Sequence, residues 1–415
     1  MRVQAWFAFL RAEGRFLSFG VTTNMWLAVG QTYVFSLFNL DIQRDLGLSN
    51  GEMATLFGVT TVIGGLGLAP AGRLLDAIDL RTFMVVVLGF TALACIGMAE
   101  ATTVPFLFLA MAGVRFFAGT VLGITAQASM ARYFGPTRGR AAAVANLGYT
   151  MSYAIFPVAV TYIMHAVGWR STWAIFAGAL LVVAIPLTLV QLRGHGERHR
   201  LYLARLAESA AATVTTDRRH YTLGEVLRDS RFYMIIPGML AVPCLLFTFQ
   251  YQQLAIVAEK GWDVKAFAAA YLLFSAFSLV ANMVAGVIVD RYGSRWLMTI
   301  YLWPMIPALG LIAFATGAWA IPFYMIFSAL TFGFNLVTAI TLWSDLYGTR
   351  HIGAIRGFNA TLNTIVASLG IAATGFLIDH GVTLATQAAW GMVAIVLASI
   401  LLFFVGRRLP RRRAA

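Results

Sequence analysis

The stretch FLAMAGVRFFAGTVLGITAQ (108–127) would dissolve in lipid as a helix were it not for one guanidinium, Arg115, near its middle. Pro105 suits the first turn of a helix, and ten residues at 1.5 Å each carry Arg115 about 15 Å along it. In a helix crossing roughly 30 Å of hydrocarbon that depth is the centre, where an arginine costs about 3 kcal/mol on insertion scales and more in simulations. The side chain is too deep to reach either interface. It must face the interior of a bundle, where water, carbonyl groups or an anion can meet its five donors.

Carboxylates are placed quite differently. Asp41, Asp45, Glu52, Glu100, Glu259, Asp263 and Asp379 fall at one set of helix ends or loops, and Asp76, Asp290 and Asp345 at the other. A cation in a cavity without an acidic neighbour attracts an anion, so Arg115 is expected to contribute positive potential and hydrogen bonds to a substrate carboxylate or similar group. Uncharged polar groups at mid-depth can orient such a ligand: Gln31 and Tyr33, then Asn146, Tyr149 and Tyr153, then Gln250 and Tyr251, and finally Asn282, Asn335, Asn359 and Asn363. Each also suits interhelical hydrogen bonding.

The elements that must position these groups follow from composition. Of 415 residues, 60% are hydrophobic and 11% charged, with a mean hydropathy of +0.79, far more apolar than a water-soluble fold, where about a quarter of residues are charged. Twelve apolar runs, at about 16–38, 53–74, 82–100, 105–130, 141–164, 171–192, 232–256, 266–289, 296–316, 320–344, 355–378 and 383–405, have the length of transmembrane helices. They lack the alternation of membrane strands. The expected fold is therefore an all-α membrane protein of twelve transmembrane helices. Met1 to Arg15 is basic and amphipathic and reads as no cleavable signal. With the N-terminus inside, 25 of the 30 basic residues fall on the cytoplasmic side, which puts both termini in the cytoplasm. Topology thus accounts for the net charge of +13, and no nucleic-acid partner is expected.

The chain divides around one long polar segment, giving an N-terminal six-helix bundle (1–192), a cytoplasmic linker (193–230) and a C-terminal six-helix bundle (231–415). Within the linker LYLARLAESA has the pattern of a short amphipathic helix, and GHGERH (194–199) reads as a solvated loop face and not a metal site. Cys95 and Cys244 sit in apolar runs without metal-ligand spacing, so no metal, cofactor or disulfide is expected. The glycine-dense GVTTVIGGLGLAPAG (58–72) lacks the Lys-Ser/Thr ending of a phosphate loop and suits close helix packing. The two halves repeat: Gly72, Asp76 and Arg81 match Gly286, Asp290 and Arg295 at an offset of 214, as Gly47 matches Gly261, while Gly135 and Asn146 match Gly348 and Asn359 at 213. Internally repeated halves are common in transporters, with substrate near the bilayer midplane.

GRLLDAIDLR and GVIVDRYGSR resemble the loop signature of the major facilitator superfamily, and the likeness spans the chain. GQTYVFSLFNLDIQRDLGLS (30–49), ARYFGPTRGRAAAVANLGY (131–149) and GEVLRDSRFY (224–233) resemble the oxalate:formate antiporter and monocarboxylate porter branch. The resemblance implies the major facilitator fold and a cytoplasmic gate in which Asp76, Arg81, Asp290 and Arg295 pair across the halves. It implies carboxylate-enclosing positions for Gln31, Tyr33, Tyr149 and Tyr153. It also offers a second role for Arg115, hydrogen bonding to carbonyls of helix 1 beside Gly119 and Gly123. Where that branch carries basic residues on helices 8 and 11, this chain has Asn282 and Asn363, which favours a monoanion over oxalate.

The expected function is a secondary active transporter in a bacterial cytoplasmic (inner) membrane, multi-pass and monomeric. It moves a small organic anion, a monocarboxylate, by alternating access, linked to protons or by exchange. An exporter of amphipathic compounds and a transporter-like ligand sensor are the alternatives. No enzyme is expected, since mid-depth Asp, Glu and His are lacking for a catalytic constellation.

Overall fold

A computed structural model describes residues 2–134, 137–210, 221–348 and 351–408. Gly135 of the repeat, and 211–220 of the linker, lie outside the described residues. The described residues are helical throughout, without strands, and form two compact units: Met1–Ile42 with Thr60–Thr216, and Gln43–Val59 with Asp217–Ala415.

The first unit begins with α1 (Arg2–Trp26), a 3-10 turn (Leu27–Gly30) and short helical pieces α2 (Thr32–Phe35) and α3 (Asn39–Leu46). The chain changes units along α3, and again within α4 (Asn50–Leu66). Next come α5 (Leu68–Ala77), α6 (Leu80–Ala99), α7 (Val104–Val114), a π-helical segment (Arg115–Val121) and α8 (Leu122–Tyr133). The unit closes with α9 (Arg138–Ala179), a second π segment (Leu180–Ala184), α10 (Ile185–Gln191) and α11 (His195–Ala210). α1 and α6 both pack on α9. Small residues permit it: a Cβ on Gly20 would stand 2.8 Å from the Ala145 Cβ, and one on Gly148 would overlap the Val21 carbonyl. Asn24 closes the same seam, donating to the Ala145 carbonyl at 2.9 Å. Close approach of this kind is how helices associate without a hydrophobic driving force between them.

The second unit holds α12 (Leu223–Val226), α13 (Ser230–Tyr251), α14 (Gln253–Lys260), α15 (Val264–Tyr292) and α16 (Ser294–Ile300). It continues with α17 (Met305–Phe314), α18 (Ala320–Tyr347), α19 (Ile352–Asp379) and α20 (Leu384–Arg408). α15 packs on α18, α13 on α19 and α17 on α20. Side-chain caps start several helices: Asp79 accepts from Arg81 N at 3.0 Å, Asp229 from Arg231 N at 2.9 Å and Asp263 from Ala266 N at 2.8 Å, each satisfying N–H groups that lack an intrahelical partner.

Among the described residues nine helices are long and apolar enough to cross a membrane, or ten if the bent pair Asn50–Leu66 and Pro70–Ala77 is one span. Not all of the apolar runs are simple rods. The run at 16–38 ends as a helix at Trp26, and Gln31 is extended (φ −87°, ψ 151°). The glycine-dense run bends by 44°. The runs at 141–164 and 171–192 belong to one continuous stretch broken at Gly168 (φ +81°). Large apolar side chains stay exposed along these helices, Leu109 at 68% and Phe314 at 70% among them. Exposure on that scale suits lipid and not water.

The repeat is visible in the backbone. Gly47 and Gly261 take the left-handed conformation at φ +64° and +65°, and Gly168 and Gly381 match at +81° and +80°, 213 residues apart. That second pair was not among the sequence matches, because a glycine's φ is not written in its neighbours.

Candidate functional site

The break after α1 and the π segment between α7 and α8 form one junction inside the first unit. A Cβ on Gly30 would overlap the Gly119 nitrogen and stand 2.7 Å from its Cα, so two backbones touch there without side chains between them. Only glycines allow this approach. Breaking a helix frees carbonyls that nothing in hydrocarbon would satisfy. Arg115, the first residue of the π segment, supplies donors: Nη1 donates to the Gly30 carbonyl and Nε to Thr61 Oγ1 at 3.0 Å. Gln31 spans the same junction, its Nε2 donating to the Gly119 carbonyl at 3.3 Å. Both acceptors of Arg115, the Gly30 carbonyl and the Thr61 hydroxyl, are neutral groups. Arg115 is half-buried, and turned into its unit.

Beside the junction stand three tyrosines. Tyr33, fully buried, stacks on Tyr153 with ring centroids 3.8 Å apart, and its hydroxyl meets Ser152 Oγ at 2.6 Å. The Tyr149 and Tyr153 hydroxyls lie 3.4 Å apart. Gln31, Tyr33, Arg115, Tyr149 and Tyr153 are therefore neighbours. Asn146 is not one of them in environment: its side chain is exposed, one turn before Thr150.

In the second unit Gln250 is buried and lines a niche of about 10 Å³ with Tyr271, Tyr324 and Ser328, room for about one water. The Tyr271 hydroxyl donates to Gln253 Oε1 at 2.7 Å. Tyr251 points elsewhere: its hydroxyl donates to the Met53 carbonyl at 3.2 Å and its ring centroid lies 4.5 Å from that of Phe57. Asn282 and Asn335 are half-buried. Asn359 and Asn363, one turn apart on α19, each bury an Oδ1 without a hydrogen-bond partner. Arg356, just before them on α19, donates to the Ile340 carbonyl from a half-buried position.

Asp76, Arg81, Asp290 and Arg295, for which the resemblance implies a gate, lie at or near helix ends. Asp76 forms an ion pair with Arg132 within the first unit. Arg81 and Asp290 are exposed and Arg295 half-buried. A different carboxylate, Asp379, makes the more elaborate contact: it accepts from Asn50 N at 3.0 Å, Asn50 Nδ2 at 3.2 Å and Gly51 N at 2.7 Å, within the second unit. In GHGERH, Gly194, Gly196 and Glu197 are exposed as its composition suggests, but one histidine is not. His195 is 6% exposed, packed against Phe16 and Tyr133, because it opens α11 and the turn at Gly194 (φ +75°) folds it inward.

Among the described residues no three of His, Cys, Asp and Glu come together as metal ligands.

Apolar helices broken at glycine contacts, with a cation at mid-span and left-handed glycines repeated between halves, define a multi-pass membrane transporter. The chain belongs to the Major Facilitator Superfamily, whose model matches residues 21–370 and 251–415. It is 24% identical over 273 residues to the uncharacterized MFS-type transporter YcxA of Bacillus subtilis, covering 63% of each chain. It is 29% identical over 162 residues to monocarboxylate transporter 6 of Mus musculus, covering 37% of this chain and 33% of that one. It thus spans less than two thirds of the length of these relatives. Among solved structures, the nucleoside transporter NupG superposes with a TM-score of 0.63 at 16% identity over 94% of this chain and 96% of that one. A point mutant of the same transporter gives 0.66 at 14% identity, over 94% and 99%.

Proposed function

We propose that this protein is a secondary active transporter of a small organic anion, a monocarboxylate, working by alternating access in the cytoplasmic membrane of a bacterium. The observation that carries the reading is Arg115, bonded to the Gly30 carbonyl and the Thr61 hydroxyl, beside the Tyr33–Tyr149–Tyr153 cluster. A guanidinium so placed gives its surroundings a positive potential in a low-dielectric medium, and phenol hydroxyls orient a carboxylate by hydrogen bonds. Arg115 therefore has two duties in this reading: it ties the break after α1 to the π segment, and it draws the anion. The name of the mouse relative, a monocarboxylate transporter, points the same way. The asparagines on α15, α18 and α19 add uncharged contacts, which suits a single negative charge. In the full proposal the chain crosses the membrane twelve times as a monomer with both termini cytoplasmic, and its bundles are joined through 193–230. Asp76, Arg81, Asp290 and Arg295 belong to a cytoplasmic gate, and uptake is linked to protons or to exchange.

The test is uptake of labelled small monocarboxylates into proteoliposomes by wild type, Arg115→Lys and Arg115→Gln. Loss of one charge-assisted hydrogen bond, about 1.5–3 kcal/mol, predicts a fall in kcat/KM of roughly tenfold or more for Arg115→Gln, with partial retention in Arg115→Lys. The reading fails if Arg115→Gln folds, as judged by its melting temperature, and still carries the anions at the wild-type rate. Faster transport of amphipathic cations than of carboxylates by the wild type would establish the exporter instead.

A further inference from the structure

A cavity bounded by charged side chains lies well away from Arg115. It lies at the far end of the first unit, where the start of α1 meets the turn into α11, and holds about 520 Å³. From Arg115 to Tyr133, which lines it, is about 27 Å at 1.5 Å per residue. Four guanidinium groups, of Arg11, Arg15, Arg193 and Arg198, bound this space with two carboxylates, Glu13 and Glu197. Glu13 is engaged by Arg198 at 2.5 Å, so the excess is cationic.

Two features mark a built site and not a basic surface. The guanidinium of Arg198 lies over the Phe16 ring at 4.6 Å and near Phe134 at 5.5 Å, and Arg15 donates to the Arg193 carbonyl at 2.5 Å, so both are fixed in direction. His195, more than nine-tenths buried on the cavity wall, has a ring Nδ1 with no hydrogen-bond partner. It stands at the first residue of the sixteen-residue α11, where helix N–H groups also favour negative charge.

We propose that this cavity binds a phosphate group, borne either by an anionic phospholipid headgroup or by a free phosphate compound. Planar guanidinium forks match phosphate oxygens in pairs, and a tetrahedral anion can meet donors from several directions, here α1, the Arg193–Gly194 turn and the α11 terminus. The volume exceeds that of orthophosphate alone, leaving space for the group that the phosphate esterifies.

The experiment measures melting temperature and equilibrium binding with delipidated, purified full-length protein. The probes are orthophosphate, chloride at matched ionic strength, and nanodiscs of phosphatidylcholine with or without phosphatidylglycerol. We expect stabilisation by orthophosphate over chloride, by phosphatidylglycerol over phosphatidylcholine, or by both, and a loss of affinity of about tenfold or more in Arg15→Gln/Arg193→Gln. A response to phosphatidylglycerol alone assigns the lipid as source; a response to orthophosphate alone assigns a soluble phosphate. Arg15→Lys/Arg193→Lys, which keeps the charge but not the planar fork, should bind less tightly than the wild type yet still above the chloride control even if the glutamine variant folds poorly, and His195→Gln should weaken binding. The proposal is overturned if neither probe exceeds its control in the wild type, or if the effects persist undiminished in a folded Arg15→Gln/Arg193→Gln protein.

Discussion

Of the two tasks its sequence context offered Arg115, the contact to the Gly30 carbonyl is formed, and the attraction of an anion belongs to the proposed function. An arginine at that depth is costly wherever it lands, and here the junction it stabilises offsets part of the cost by satisfying the Gly30 carbonyl. His195 makes a different point about single residues. Burial holds its imidazole below the ordinary histidine pKa of 6.5, assisted by the charges of His199 and Arg198 and opposed by Asp79 before α6. The Tyr133 ring of α8 and the Phe16 ring of α1 pack against it, with Glu13 and Arg15 on the same cavity wall. Because the folded protein keeps this ring neutral longer than the unfolded chain does, acid favours unfolding. Stability should be insensitive to His195 above about pH 6.5 and fall as the pH drops below it. Melting curves at stepped pH check this: His195→Gln should flatten that fall, and an unchanged slope would remove His195 as its source.

Helices in this protein are legible as apolar runs, but their interruptions are not. Nothing in the run at 16–38 announces that α-helix stops at Trp26, since Leu27–Gly30 is as apolar as what precedes it; the break exists because Gly30 meets Gly119 from another helix. The same is true of the α1–α9 seam, where Gly148 carries no local signal of its burden. A methyl group there would overlap the Val21 carbonyl and stand 2.7 Å from its carbon, and backbone cannot move aside as a side chain can. Gly148→Ala should therefore destabilise the protein by about 1–3 kcal/mol despite alanine's better helix propensity, whereas Gly139→Ala, with open space around it, should not. Thermal unfolding in detergent compares the two, and equal melting temperatures would refute the close approach.

For the molecule as a whole, the unexpected feature is the membership of Gln43–Val59 in the second unit, although their chain neighbours belong to the first. Asp379 holds them there through Asn50 and Gly51, and Tyr251 through Met53. Because Asp379 is exposed, solvent screening limits its worth to about 1 kcal/mol. Asp379→Asn should then speed hydrogen exchange at the Asn50 and Gly51 amides about fivefold, leaving α15 and α18 unchanged; protection equal to wild type would exclude the contact as a clamp.

Composition and hydropathy were sufficient for the membrane, the helical class and the transporter family, because lipid demands long apolar helices and a family's loop motifs are written locally. Depth alone offered a wider set of polar residues, and Gln31, Tyr33, Tyr149 and Tyr153 were singled out by the family resemblance. Only the folded chain decided which carbonyl Arg115 would take, that Asp76 would pair with Arg132, and that His195 would close a basic cavity. Those outcomes depend on approaches between segments distant in sequence, and a sequence records what each segment is made of, not which backbone it will meet.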